Sequence, residues 1–413
     1  RGLPLWRASD GSIGPLEGLV LLREQPSPEV LSILGLLCVD NSLAGLVEDL
    51  GFLKPLDATS FAATCLLPAM ERDLPHDRSQ LDVLAEWVLQ NCSMWRQKTL
   101  VRLASIRFIR AADDSIRAPQ ELCDPRDETL LKLLGAEAFP CNKFHEHRDV
   151  LLRCGVASLH AKGAGQEIGS QIALITRCAR ALEGRQKRAN GKRDGLCELA
   201  VEICLALLEL LRSLGNAEPP VELAPLADIQ FAPVAAGDRS LAQAVLLRFC
   251  DVSLRCDQRL VGSLKPVIDR KLVGFEALQP SQRKVLGLTA PSINAVLENL
   301  RHTVSLFARD QLAPAAFLEQ LGTMLEFLNT RATRLLAQTG SGPRKTLAQL
   351  KGAFQPPFAF VPIMEGDDDS VRLVTTNACV MKKAIPPIAY SAKQLVPFDK
   401  WDALCQLFGI RRE

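Results

Sequence analysis

The sequence predicts an α+β fold, with small β-hairpins and short sheets packed with helical layers in a multi-domain repeat segment. Two recurrences predict it. In the first, an apolar run meets an Asp-rich tight turn, and Ser with a β-branched residue then opens a second extended run. It stands as Leu3-Pro4-Leu5-Trp6 before Asp10-Gly11-Ser12-Ile13, and as Ile106-Arg107-Phe108-Ile109 before Asp113-Asp114-Ser115-Ile116. It returns as Phe360-Val361-Pro362-Ile363 before Asp368-Asp369-Ser370-Val371. Asp and Gly tolerate the backbone angles of a tight turn, and the flanking residues suit strands, so three hairpins are expected. In the second recurrence a helix closes on Gly followed by an aliphatic residue: Leu34-Gly35-Leu36, Cys154-Gly155-Val156, Leu286-Gly287-Leu288 and Phe408-Gly409-Ile410. Gly supplies the left-handed cap, and the next residue packs back on the last turn.

The helices follow from apolar spacing. Ser42 is expected to cap a helix bearing Leu43, Leu46, Val47 and Leu50, stopped by Gly51. Asp194 is expected to cap a long, mostly buried helix to Leu214, with only a narrow Glu stripe left polar. Ser292 opens a helix through Ile293, Val296, Leu300, Val304 and Phe307. Pro314 opens another through Phe317, Leu321, Met324 and Leu328. Arg185 to Arg193, Gly215 to Pro220 and Gly340 to Lys345 read as linkers. The expected division is residues 1–98 (hairpin and helical block), 99–235 (hairpin, helical block and long helical pair) and 236–413 (helical block, closing hairpin and C-terminal helix).

Composition excludes several function classes. Lys plus Arg number 49 and Asp plus Glu 47, so bulk charge does not drive nucleic-acid or anionic-membrane binding. A single Tyr argues against an aromatic-rich ligand cage. No apolar run is long enough to span a bilayer; Glu198, Glu202 and Glu209 interrupt the nearest candidate. Thirteen cysteines without a Cys-x-x-Cys read as buried thiols in a reducing, cytoplasmic setting. The start at Arg1-Gly2-Leu3 reads as a piece of a longer chain.

Chemistry-bearing motifs are weak. Thr339 to Thr346 looks like a phosphate loop, but Arg344 stands where Gly must precede Lys. Gly163 to Gly169 misses the dinucleotide spacing and is expected to open a helix running to Leu182. Cys141, His145, His147 and Cys154 are zinc-ligand types at the wrong spacing. His302 lies four residues after Glu298 on a helix, while His76 and His160 have no evident partners. Asp367-Asp368-Asp369 lacks calcium-loop spacing and reads as a hairpin tip. Arg185, Lys187, Arg188, Lys192 and Arg193 form a basic run without aromatics, read as solvated. No catalytic, cofactor-binding or metal residue is assigned, no cofactor is expected, and the segment is read as no enzyme.

From Phe108 to Val156 the hairpin leads through Pro119-Gln120-Glu121-Leu122-Cys123-Asp124-Pro125 and Phe139-Pro140 to Leu151-Leu152-Arg153-Cys154-Gly155-Val156. Asp124-Pro125 makes a turn, Asp127 caps a short helix, and Phe139 and Phe144 anchor the next. This order resembles the large internal repeats of sacsin-like proteins. Leu226 to Val234, the block from Leu260 through Leu288 and Pro291, and the ending from Phe360 to Arg411 resemble later parts of such repeats. Cys123 stands where that family usually has an aromatic residue, and Phe231 where it has Trp. The resemblance implies a non-catalytic chaperone or co-chaperone scaffold that binds protein clients or partners, including the seventy-kilodalton heat-shock system. It implies neither nucleic acid nor membrane as partner. The family's ATP-binding module needs a helix-borne Glu and Asn and an Asp-x-Gly-x-Gly, a set not found in this sequence. A structural spacer in a giant protein is the alternative, followed by a nucleotide- or zinc-dependent hydrolase.

Overall fold

The structure is a computed structural model describing residues 6–23, 26–72, 74, 77–159, 168–188, 195–234, 246–338, 341–353, 361–364, 371–374 and 403. It is α+β: short two-stranded sheets set among helices. The chain divides into two compact units, Arg1–Ser213 and Leu214–Glu413, the boundary falling inside the second of the three expected blocks.

The expected hairpins form. In the first, β1 (Trp6–Arg7) pairs antiparallel with β2 (Ile13–Gly14). Strands β3 (Leu19–Val20) and β4 (Leu37–Cys38) then pair in parallel around α1 (Pro28–Ile33). Helix α2 (Asn41–Asp49) follows. Its cap is Asp40 rather than Ser42: the carboxylate accepts from the Ser42 amide and hydroxyl at 2.9 and 2.6 Å, which an ionised acceptor does better than a hydroxyl. Of its expected apolar face only Val47 is buried.

Helices α3 (Ala58–Phe61) and α4 (Leu67–Arg72) are joined by a π-helical stretch, Ala62–Leu66. Helix α5 (Arg78–Asn91) buries Leu81, Leu84, Ala85, Val88 and Leu89, and α6 (Gln97–Leu103) leads into the second hairpin. That hairpin is β5 (Ile109–Arg110) against β6 (Ile116–Arg117), followed by α7 (Glu128–Leu133) and α8 (Arg148–Arg153). A core cluster joins Val30 and Leu31 to Leu84, Val88, Phe108, Ile109 and Phe144.

The two hairpin blocks of this unit share one hydrogen-bonded frame. The turns are closed by Ala8 N–H to Ser12 O (2.9 Å) and Ala111 N–H to Ser115 O (2.8 Å). Gly11 has φ +83° and its counterpart Asp114 φ +65°, a region Asp tolerates better than other side chains. A 3₁₀ turn follows each hairpin, Leu16–Gly18 and Pro119–Glu121. Antiparallel bridges join Ala8 to Val39 and Ala111 to Pro140, and parallel bridges join Leu22 to Leu56 and Cys123 to Ala157. The Asp40 amide donates to Arg7 O at 3.0 Å as the Cys141 amide donates to Arg110 O at 2.8 Å.

Helices α9 (Ile168–Arg188) and α10 (Leu196–Ser213) pack along each other to complete the first unit. Helix α10 buries Leu196, Ala200, Ile203, Cys204, Leu207 and Leu211, as the sequence predicts, while Asp194 lies outside the described residues. Helix α9 runs through Arg188, so Arg185–Arg188 is its last turn and not a linker. Basic residues there suit the negative helix end, and Lys187 reaches Glu183 at 3.3 Å. The expected linker Gly215–Pro220 holds neither helix nor strand: a turn at Gly215 and Asn216 runs on into irregular chain.

The second unit carries the frame a third time. Strands β7 (Ala232–Pro233) and β8 (Leu246–Leu247) form a hairpin that the sequence shows only as a short strand. The 3₁₀ turn Phe249–Asp251 follows, an antiparallel bridge joins Val234 to Ile268, and the Asp269 amide donates to Pro233 O at 3.0 Å. Phe249 sits between Phe231 and Phe275, at ring separations of 5.1 and 5.4 Å. Beyond α11 (Gln258–Val261) and α12 (Pro280–Val285) come α13 (Ile293–Ala308), capped by Ser292, and α14 (Pro314–Leu336), opened by Pro314. Their core holds Val296, Leu300, Phe317, Leu321, Met324 and Leu328.

Helix α15 spans Ser341–Ala353, which corrects the expected linker Gly340 to Lys345. Pro343 is tolerated because the first helical amides have no intrahelical acceptor. Strands β9 (Val361–Met364) and β10 (Val371–Val374) form the closing hairpin, with Asp367–Asp369 outside the described residues.

The glycine closures at Gly35, Gly155 and Gly287 have φ of +61°, +100° and +79°. Each is a Schellman motif: Leu36 N–H reaches Leu31 O, Val156 reaches Leu151, and Leu288 reaches Arg283. Gly51 makes a fourth through Phe52 to Val47, while Gly409 lies outside the described residues. No described helix is long and apolar enough to cross a membrane.

Candidate functional site

The motif residues singled out in the sequence do not converge. Among the described residues no group of three or more His, Cys, Asp or Glu could hold a metal ion. His145 sets a ring nitrogen 3.1 Å from Pro140 O. His147 Nε2 is 3.6 Å from Glu146 Oε1 and finds no hydrogen-bond partner among the described residues. Cys154 meets Cys92 instead, sulfur to sulfur at 3.5 Å in the core. That contact holds the Cys92 thiol below the ordinary range and, with burial, pushes Cys154 up. Burial also pushes the Cys38 and Cys123 thiols up to about 11, which leaves both poor nucleophiles.

The phosphate-loop lookalike is helical from Ser341, so its Arg344 and Lys345 sit on α15 rather than in a wrapping loop. His302 and Glu298 are both exposed on α13. His76, His160 and Lys192–Arg193 lie outside the described residues, as do Gly163–Gln166.

The residues that do converge belong to α9. Arg177, Arg180, Arg185 and Arg188, with Ala181 and Gly184, recur at the i, i+3, i+4, i+7, i+8 and i+11 spacing of a single helix face. That face forms one wall of a groove of about 430 Å³. The end of α7 forms the other wall, through Leu133, Leu134, Gly135 and Glu137.

Two arginines are oriented by backbone carbonyls. Arg185 Nη2 donates to Leu133 O at 3.2 Å, at the carbonyl-rich end of α7, and Arg177 Nη1 donates to Glu121 O at 3.4 Å. Among the described residues none of the four forms an ion pair, whereas Lys187, between Arg185 and Arg188 in sequence, is paired with Glu183. Among the described residues the groove's lining holds one carboxylate, Glu137, which lies over Gly135, where a Cβ would fall 2.2 Å from Glu137 Oε2.

Four guanidiniums against one carboxylate make an anion-selective surface with planar, bidentate donors. The sequence shows Arg185 and Arg188 as members of a basic run but leaves Arg177 and Arg180 unmarked. The signal that finds them is helical spacing carried across the expected helix end at Leu182. No family model, curated protein or solved structure matches the chain.

Proposed function

We propose that the chain is a non-catalytic, protein-binding segment of a sacsin-like chaperone or co-chaperone scaffold in protein quality control. The observation that carries this reading is apolar exposure on the first hairpin block. Ile13, Leu37, Leu46, Leu50 and Phe52 are all exposed within one stretch whose own core is a small cluster around Ala8, Leu16, Leu21, Val39 and Val47. Ile13 is 68% exposed and Leu50 53%. Exposed apolar side chains lower their free energy by contact with another apolar chain, the chemistry by which an unfolding client is held. The recurrence of one frame supports a scaffold, because a fixed backbone can present different side chains in each copy. The order of motifs in the sequence supports the family, and with it the seventy-kilodalton heat-shock system as partner.

The test is suppression of aggregation. The purified chain is added to a thermally unfolding model client and light scattering is followed, alongside a Leu46→Lys/Leu50→Lys variant. The reading predicts suppression by the native sequence and its loss in the variant. Equal scattering with and without the chain, and no cross-links to the client, contradict it and leave the spacer role.

A further inference from the structure

We infer that the arginine face of α9 is a binding site for an acidic peptide segment. The inference deepens the protein-binding reading and rests on it for the class of partner. Its physical basis is separate, because it uses charge in place of apolar exposure and lies far along the chain from the first block.

Like charges three residues apart on a helix oppose one another, and Arg177 with Arg180 and Arg185 with Arg188 stand so, without ionic partners among the described residues. An anion filling the groove removes that repulsion and gains charge-assisted hydrogen bonds. The geometry favours an extended peptide over an isolated small anion. Residues 177 to 188 cover about 16 Å of helix at 1.5 Å per residue. An extended strand of about five residues, at roughly 3.3 Å each, has the same length. Successive carboxylates can therefore meet successive guanidiniums. The backbone can lie over Ala181 and Gly184, where a Cβ at Gly184 would meet nothing within 4 Å. Leu133 and Leu134 give the opposite wall an apolar strip against which an aliphatic residue of the peptide packs. Glu137, on the wall facing the arginines, is the like charge that an acidic ligand meets in the groove.

The experiment is fluorescence anisotropy on the full chain. The probe is a labelled Asp/Glu peptide of about eight residues containing one Leu, and the control is the same peptide with Gln and Asn. Binding should saturate, weaken as salt rises past the Debye regime, and be absent for the neutral peptide. Arg180→Glu/Arg188→Glu should weaken it by about tenfold or more, equivalent to roughly 1.4 kcal/mol. Glu137→Gln should change affinity in the opposite direction, tightening it by about two- to fivefold. Opposed signs from two variants, at three exposed positions, separate a site from a folding defect. Absence of saturable binding overturns the inference. So does binding that ignores the reversal, or a labelled oligonucleotide that binds more tightly than the peptide. If aggregation suppression fails while this site behaves as described, the chaperone reading falls and the acidic-segment site stands. If suppression holds and the peptide does not bind, only this inference falls.

Discussion

The first and second hairpin blocks have the same backbone and different interiors. Their turns, capping amides and isolated bridges correspond, with the parallel pair β3–β4 added in the first block. Yet the second block buries Phe108, Ile109, Ala111 and Phe144 in the main core of its unit, while the first leaves Ile13, Leu46 and Leu50 in solvent. The position three residues after the shared capping amide shows the divergence: half-buried Leu43 in the first block, fully buried Phe144 in the second and Leu272 in the third. Turn chemistry and backbone hydrogen bonds fix the frame, and the side chains on it decide whether a copy serves as core or as surface. Among the described residues the first block therefore leaves more apolar surface in solvent, while the second holds the unit together.

The comparison is broken most severely at the shared core position. Phe144→Ala should cost about 3–5 kcal/mol, since it removes a buried ring and leaves a cavity. Leu43→Ala at the corresponding place should cost about 1 kcal/mol, because much of that side chain already meets water. Urea unfolding of the two variants measures the difference, and equal losses would erase the distinction.

An ion pair of the second block comes next. Asp124 accepts from Arg148 Nε at 2.9 and 3.0 Å and from the Arg126 amide at 3.0 Å, and it is buried. Asp124→Ala should cost about 2–4 kcal/mol, the lower end applying because Arg148 keeps 30% of its side chain in solvent. The corresponding frame residue in the first block is exposed Arg23, whose Ala variant should stay within about 0.5 kcal/mol.

The glycine closures sharpen the contrast. Gly155, at φ +100°, leaves a Cβ only 3.1 Å from Ala104 Cβ, while Gly35, at +61°, faces open space. Gly155→Ala should cost about 2 kcal/mol and Gly35→Ala about 1 kcal/mol, readable as melting-temperature shifts of the purified variants.

The smallest effect is the one the blocks share. Ser12 donates its hydroxyl and amide to Asp10, and Ser115 donates likewise to Asp113, holding both carboxyls below the ordinary aspartate value of 3.8. A carboxyl depressed on folding stabilises the fold above 3.8, and that contribution is lost as pH falls through the folded-state value. Asp10→Asn and Asp113→Asn should each lower the neutral plateau of a stability-versus-pH curve slightly and flatten its acid limb, leaving the curve unchanged well below the folded-state value.

Much of this frame is legible in the sequence because its determinants are local. Asp10-Gly11-Ser12 and Asp113-Asp114-Ser115 write the turns, and Gly35, Gly155 and Gly287 write the helix ends. What stays hidden depends on distant or competing partners. Ser42 looks like a cap, but Asp40 two residues earlier is the stronger acceptor. Arg185–Arg188 looks like a linker because charge alone does not separate a solvated turn from the last turn of a helix. The third copy of the frame is obscured because its hairpin has no Asp-rich turn directly after a short apolar run. The arginine groove needs α7 and α9 brought together across some forty residues of sequence, a pairing that no local pattern encodes.

Amide hydrogen exchange on the native chain tests the shared frame most directly, at Asp40, Cys141 and Asp269, whose N–H groups donate to Arg7, Arg110 and Pro233 carbonyls. All three amides should exchange far more slowly than solvent-exposed amides in the flanking turns, with Cys141 slowest because its block is buried most deeply. Exchange of any one at the rate of an unstructured peptide would show that the frame is not common to the three blocks.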